Sequence, residues 1–155
     1  MLLAVFVSLA LIGGCGGSSD PSPSPERYLL TTASIDQVAA KSDNPAAVKS
    51  TLDFWRAVQF QTFGDAYNLL TRSLRSRIPY DEFLDKLGPA RYVFLARPQV
   101  YDLAGKDPAT VFLVAPQGDT LTDNDQVIGF TLTREDGQWR IGSDPFNVFH
   151  EQSAP

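Results

Sequence analysis

The chain contains one thiol, Cys15, directly after Ile12-Gly13-Gly14, and one imidazole, His150. A lone cysteine excludes an internal disulfide framework and a thiolate zinc cage, and a lone histidine excludes most imidazole metal sites. His150 does not make a catalytic triad: the sequence has no Gly-x-Ser-x-Gly elbow, so the imidazole is read as exposed or at a strand end. The acidic run Asp119, Asp123, Asp125 invites a calcium loop, but it has no glycine at the sixth position and Arg134 stands where the bidentate Glu is needed. It is read as a solvated hairpin loop, and no metal or cofactor is expected. Asp65, Tyr67 and Tyr92 are the residue types of an acid/base pocket, yet no carboxylate is paired with a tyrosine at a recognisable spacing, and Asp65 is read as a helix cap. No catalytic residue is assigned. Arg72, Arg75 and Arg77 cluster in an otherwise acidic chain, either as a solvated, locally paired face or as a contact for anionic headgroups or a wall polymer.

The elements that position these groups follow from periodicity. Val48, Leu52, Trp55, Gln59 and Phe63 recur at helical spacing, with Lys49, Asp53 and Arg56 opposite, and Asp43 or Asn44 and Pro45 begin the run, so a helix is expected over 45–61. Gly64 is read as its stop. Ala66, Tyr67, Leu69 and Leu70 predict a short second helix, and Pro79 to Leu87 a third, with Asp81 and Glu82 in its first turn and Gly88-Pro89 as its end. The period then changes to two. Strands are expected at Tyr92–Ala96, Val100–Leu103, Thr110–Ala115, Val127–Arg134 and Gln138–Ser143. Asp136-Gly137 is a hairpin turn that places Leu132 opposite Ile141 and Arg134 opposite Trp139, with the guanidinium on the indole. Residues 27–44 show no clean period: Tyr28–Thr32 reads as a short strand and Ile35–Ala40 as a helical turn capped by Ser34.

Composition sets the outer bounds. The 155 residues suffice for one domain with its own core. A formal charge of -5 and a pI near 4.7 argue against a phosphate-binding surface, so no nucleic-acid partner is expected. Residues 1–12, MLLAVFVSLALI, are apolar apart from Ser8, the length of a signal-peptide core and well short of the ~20 residues of a spanning helix. No Lys or Arg precedes the run; the first basic residue is Arg27. Gly16 to Pro25 holds only Gly, Ser, Pro and one Asp, too little apolar surface to offset the entropy of ordering, and is read as a tether.

The segment Leu11-Ile12-Gly13-Gly14-Cys15 resembles a bacterial lipobox: a branched apolar residue, two small residues and a cysteine. That resemblance implies lipid attachment at Cys15, with the lipid as the only covalent group, and cleavage that makes Cys15 the first mature residue. The small residues suit a narrow peptidase cleft, and the thiol supplies the nucleophile for a thioether. The stretches FWRAVQFQTFGDAYNLLT, IPYDEFLDKLG and VIGFTLTREDGQWRIGSDPF, within residues 45–149, resemble the nuclear transport factor two-like superfamily. This is the cone-shaped fold that also includes ketosteroid isomerases and polyketide cyclases. The resemblance implies an α+β layer structure with helices on one face of a curved antiparallel sheet. It also implies an apolar pocket at the open end of the cone, which Trp55, Gln59, Tyr67, Phe94 and Phe130 would line. Gln59 is the open case: a buried amide needs partners, supplied either by the core or by a pocket ligand.

The expected organisation is a signal peptide over 1–14, a lipid-anchored tether over 15–26, a lead-in over 27–44 and the cone domain over 45–150. Such a protein faces outside the cytoplasm on a cell membrane, held there by its lipid. Its expected role is non-catalytic binding of an envelope protein. A binder of a small apolar ligand in the cone and a divergent cyclase or isomerase are the alternatives, because this fold hosts all three.

Overall fold

The computed structural model describes residues 29–90, 94, 96–115 and 126–144. The signal segment, the tether, Cys15, the acidic run Asp119 to Asp125 and His150 lie outside the described residues. Within them, five helices pack on a four-stranded antiparallel sheet, so the fold is α+β as expected.

Thr31 and Ser34 form a reciprocal capping box: Ser34 N–H donates to Thr31 Oγ1 at 3.1 Å and Thr31 N–H to Ser34 Oγ at 3.0 Å. It starts α1, Thr32–Ala39, whose Ile35 and Ala39, four apart, are both buried. The short strand expected up to Thr32 is not formed there, because Thr31 spends its side chain on starting a helix.

Asn44 caps α2, Pro45–Gln59, by accepting from the Ala47 N–H, and Pro45 occupies the first turn, where its missing donor costs nothing. The stop is not Gly64. Gln61 takes a left-handed conformation at φ 60, and Phe63 opens α3, Phe63–Asn68, rather than ending the previous stripe. Thr62 is the N-cap residue of α3, so Asp65 is not a cap but sits in the first turn, where a carboxylate complements the helix dipole. Thr71 then caps a fourth, unexpected helix, α4, Arg72–Arg77, accepting from the Leu74 N–H at 3.1 Å. Helix α5, Tyr80–Ala90, carries Asp81 and Glu82 in its first turn and runs through Gly88-Pro89 instead of stopping there.

The sheet is a meander of β1 (Gln99–Ala104), β2 (Ala109–Ala115), β3 (Gln126–Glu135) and β4 (Gln138–Ile141), in spatial order β1-β2-β3-β4. Of the strand expected at Tyr92–Ala96, only Phe94 and Ala96 are described, and neither lies in a strand. The β3–β4 hairpin has the expected register, Leu132 opposite Ile141 and Arg134 opposite Trp139, with the Arg134 guanidinium 5.0 Å from the indole centre. Asp136 and Gly137 both have positive φ, which matches the strand twist of a two-residue hairpin. The free edge of β4 is covered by the chain between α3 and α4. Ile141 N–H donates to Leu69 O and Thr71 N–H to Ile141 O, both at 2.9 Å, closing a parallel bridge at Leu70.

One face of the sheet, formed by Val111, Leu113, Ile128, Phe130, Leu132 and Ile141, is buried against the helices. Phe54 lies at the centre, 6.5 Å from Phe83 of α5, 6.0 Å from Phe94 and 5.8 Å from Phe130, ring centre to ring centre. Truncation there removes contacts to all three at once, so Phe54→Ala is expected to lower unfolding stability by about 3–5 kcal/mol. A urea midpoint unchanged from the parent would contradict this packing. Gln61→Gly, at an exposed position, removes the Cβ penalty of the left-handed turn and is expected to raise stability by about 1 kcal/mol in the same measurement.

Candidate functional site

The residues expected to line a cone pocket were Trp55, Gln59, Tyr67, Phe94 and Phe130. Trp55, Phe94 and Phe130 have 0% of their surface accessible, so none of them faces solvent or a void large enough for water. Trp55 and Phe94 lie 4.6 Å apart and fill the space between α2 and the segment leading to β1. Large rings on three elements meet where an open cone would need smaller side chains.

Gln59 is buried to 8% exposure, with both ends of its amide occupied by backbone. Its Oε1 accepts from the Leu30 N–H at 2.9 Å, and its Nε2 donates to Ala96 O at 3.0 Å, where the Trp55 indole N–H also donates at 3.1 Å. The amide therefore joins the lead-in before α1 to the segment before β1. This satisfies the buried polar group within the core, one of the two ways open to it.

Tyr67 is elsewhere. Its hydroxyl is shared between the carbonyl oxygens of Arg75 at 3.1 Å and Ile78 at 3.0 Å, and its ring contacts Tyr80 and Phe83, so it holds the α4–α5 connection. Asp65 is exposed on α3, and Tyr92 lies outside the described residues. Among the described residues no group of three or more His, Cys, Asp or Glu is placed to hold a metal ion. No described helix is long and apolar enough to cross a membrane.

The arginine cluster is divided among different partners. Arg72 pairs with Asp136, and its backbone N–H donates to the Glu135 carboxylate, fastening α4 to the β3–β4 turn. The Arg75 guanidinium lies 6.0 Å from the Tyr67 ring centre, and Nη1 donates to Asn68 Oδ1 at 3.4 Å. Arg77 is exposed.

A surface cleft of about 460 Å³, which no sequence pattern singled out, lies where α2, α3 and β4 meet. Asp53, Arg56, Ala57 and Phe60 come from the end of α2, Asp65, Asn68 and Leu69 from α3 and its exit, and Arg140 from β4. The charge of Asp53 is taken by Lys49, whose Nζ lies 3.1 Å from Oδ2. Burial pulls on the Lys49 ammonium, but bonding to Asp53 and the charges of Asp53 and Asp36 outweigh it and hold its pKa above the ordinary 10.5. The two guanidiniums are different: among the described residues neither Arg56 nor Arg140 forms an ion pair. Arg140 donates only to uncharged groups, the Asn68 carbonyl and Gln138 Oε1. Arg56 lies over Phe60, with Cζ 5.3 Å from the ring centre, and its Nε is buried with no hydrogen-bond partner. Phe60 itself is 48% exposed. The sequence signal was present, since Arg56 and Phe60 are four apart on α2, but Arg140 joins them only through the fold.

The outer face of the sheet carries Thr110, Thr131 and Thr133 around half-buried Phe112, which packs on Gly129, and an exposed Val127.

No protein-family model matches the sequence, and neither a curated protein nor a solved structure is detectably similar to it.

The Gln59 geometry generates a direct test. Gln59→Leu leaves the Leu30 N–H without its acceptor, while Ala96 O keeps the indole donor. The expected result is a loss of about 1–3 kcal/mol in chemical denaturation, with faster amide hydrogen exchange at Leu30. Unchanged stability and exchange would contradict the structural role.

Proposed function

We propose that the protein is an exported, lipid-anchored cell-envelope lipoprotein whose α+β domain, of the nuclear transport factor two-like cone class, is a non-catalytic binding module acting through its exterior. The binding half of this reading is carried by one contrast. Trp55, Phe94 and Phe130, expected to line a pocket, are fully buried, while the cleft between α2, α3 and β4 presents two guanidiniums that form no ion pair among the described residues. Rings buried this completely leave no room for a substrate at their own positions, and guanidiniums free of ion pairs are what recognition of an anionic partner uses.

The anchor half rests on the lipobox-like segment ending at Cys15 and on the Gly/Ser/Pro tether behind it. Each buried methylene contributes about 0.8 kcal/mol, so one acyl chain binds marginally and two or more hold firmly. The tether, extended at ~3.1 Å per residue, would reach up to roughly 30 Å from the membrane surface.

Mass spectrometry of the mature N-terminal peptide, purified from the native host, is expected to find Cys15 first in the chain and carrying lipid through sulfur. Cys15→Ala is expected to lose the lipid and leave the membrane fraction. An unmodified Cys15 or an intact Met1 would sink the anchor.

A further inference from the structure

We infer that the cleft between α2, α3 and β4 is a binding site for an organic carboxylate with an apolar or aromatic body, recognised by Arg56 and Arg140 as cations and by Phe60 as the apolar platform. This rests on the binding-module half of the proposed function and names its ligand chemistry.

The first observation is a pair of guanidiniums in one cleft that form no ion pair among the described residues. Within the cleft, Asp53 is neutralised by Lys49, which leaves Arg56, Arg140 and Asp65 without ion pairs among the described residues. Asp53 and Asp65 leave the cleft lining with no net charge, so what it offers an anion is the two unpaired guanidiniums rather than an excess of positive charge. One carboxylate can be shared by Arg56 and Arg140, whereas Asp65 on the same wall opposes a second negative charge. That selects a monoanion such as a carboxylate over a phosphate dianion.

The second observation is the state of Arg56. Among the described residues its Nε–H is shut away without an acceptor, an arrangement that costs free energy while the guanidinium lies on Phe60. Arginine meets a carboxylate through two parallel N–H bonds, commonly including Nε–H. When the guanidinium turns toward a carboxylate in the cleft, the orphan donor gains its partner and the Phe60 ring is freed to receive an apolar body. Leu69 and Ala57 extend that apolar floor. The same chemistry is offered by a small free acid and by the C-terminal residue of a polypeptide.

The test uses the full chain labelled with ¹⁵N at arginine, followed by the Nε–Hε signal of Arg56. The probes are phenylacetate, acetate, inorganic phosphate, a short peptide ending in phenylalanine with a free carboxylate, and the same peptide as its C-terminal amide. Phenylacetate or the free-acid peptide is expected to shift the signal saturably, acetate more weakly, and phosphate and the amide not at all. Tighter binding of the peptide than of phenylacetate assigns the ligand to a chain terminus, and the reverse order assigns it to a small acid. Arg56→Gln, followed through backbone amides around the cleft, and Phe60→Ala are each expected to weaken binding about tenfold, the loss of one charge-assisted contact or its platform. Phe60 is half exposed, so its variant keeps the test valid if Arg56→Gln fails to fold. Absence of saturable shifts with both acids, phosphate binding more tightly than either, or midpoints unmoved by Phe60→Ala would overturn the inference. Lipid attachment at Cys15 is read separately, so the anchor and the cleft can fail independently.

Discussion

The ring of Phe54 is the contact on which the layers depend. It belongs to α2, yet its neighbours are Phe83 of α5, Phe94 before β1 and Phe130 of β3, so one side chain joins two helices, a connecting segment and the sheet. Tilted and edge-on geometries let these rings fill the space between the helices and the sheet without stacking flat, and such pairs add to what burial alone contributes. The functional consequence is negative and specific. A sheet with helices across it could enclose a ligand between the layers, but here aromatic volume occupies the position of Phe54 and its neighbours.

Polar bonding at the margin of this cluster fixes the two irregular segments that regular structure cannot hold. The Ala96 carbonyl accepts from both the Trp55 indole and the Gln59 amide, and the same Gln59 accepts from Leu30. One turn of α2 thus anchors chain 29 residues before it and 37 residues after it. The helix is the organising element, because its apolar face meets the sheet while its polar interruptions bind the connections.

How much of this was legible depends on whether the signal was periodic or a matter of caps and contacts. The stripe of α2, the alternation of β2 and β3, and the Asp136-Gly137 turn lie in local sequence, and the hairpin register followed from them. Helix α4 was not seen because a six-residue segment with Leu74 as its buried apolar contact has no period to detect; its signal is the Thr71 cap. The boundary at residue 64 was misplaced because glycine is the usual left-handed residue, and here Gln61 takes that conformation three positions earlier. Gln59 reads from the sequence as a core amide first and a ligand contact second, and the choice is not local, since its partners at Leu30 and Ala96 are set by tertiary structure. The cleft was invisible for the same reason: Arg140 is distant in sequence from Arg56 and Phe60.

The early end of α2 also explains why the exterior has a cleft at that point. Because α2 ends at Gln59, Gln61 turns left-handed and α3 begins at Phe63, the chain reverses within a few residues, and the Thr62 N–H bonds back to Ala57 O at 2.9 Å. Phe60 is left outside the reversal, exposed beside Arg56 one turn earlier, instead of joining the core with Phe54 and Trp55. The bridge between Leu70 and Ile141 then draws the exit of α3 onto the edge of β4, which brings Arg140 to the opposite wall. The same tight turn and edge pairing that close the fold on this side therefore assemble a pair of guanidiniums and an aromatic ring at its surface.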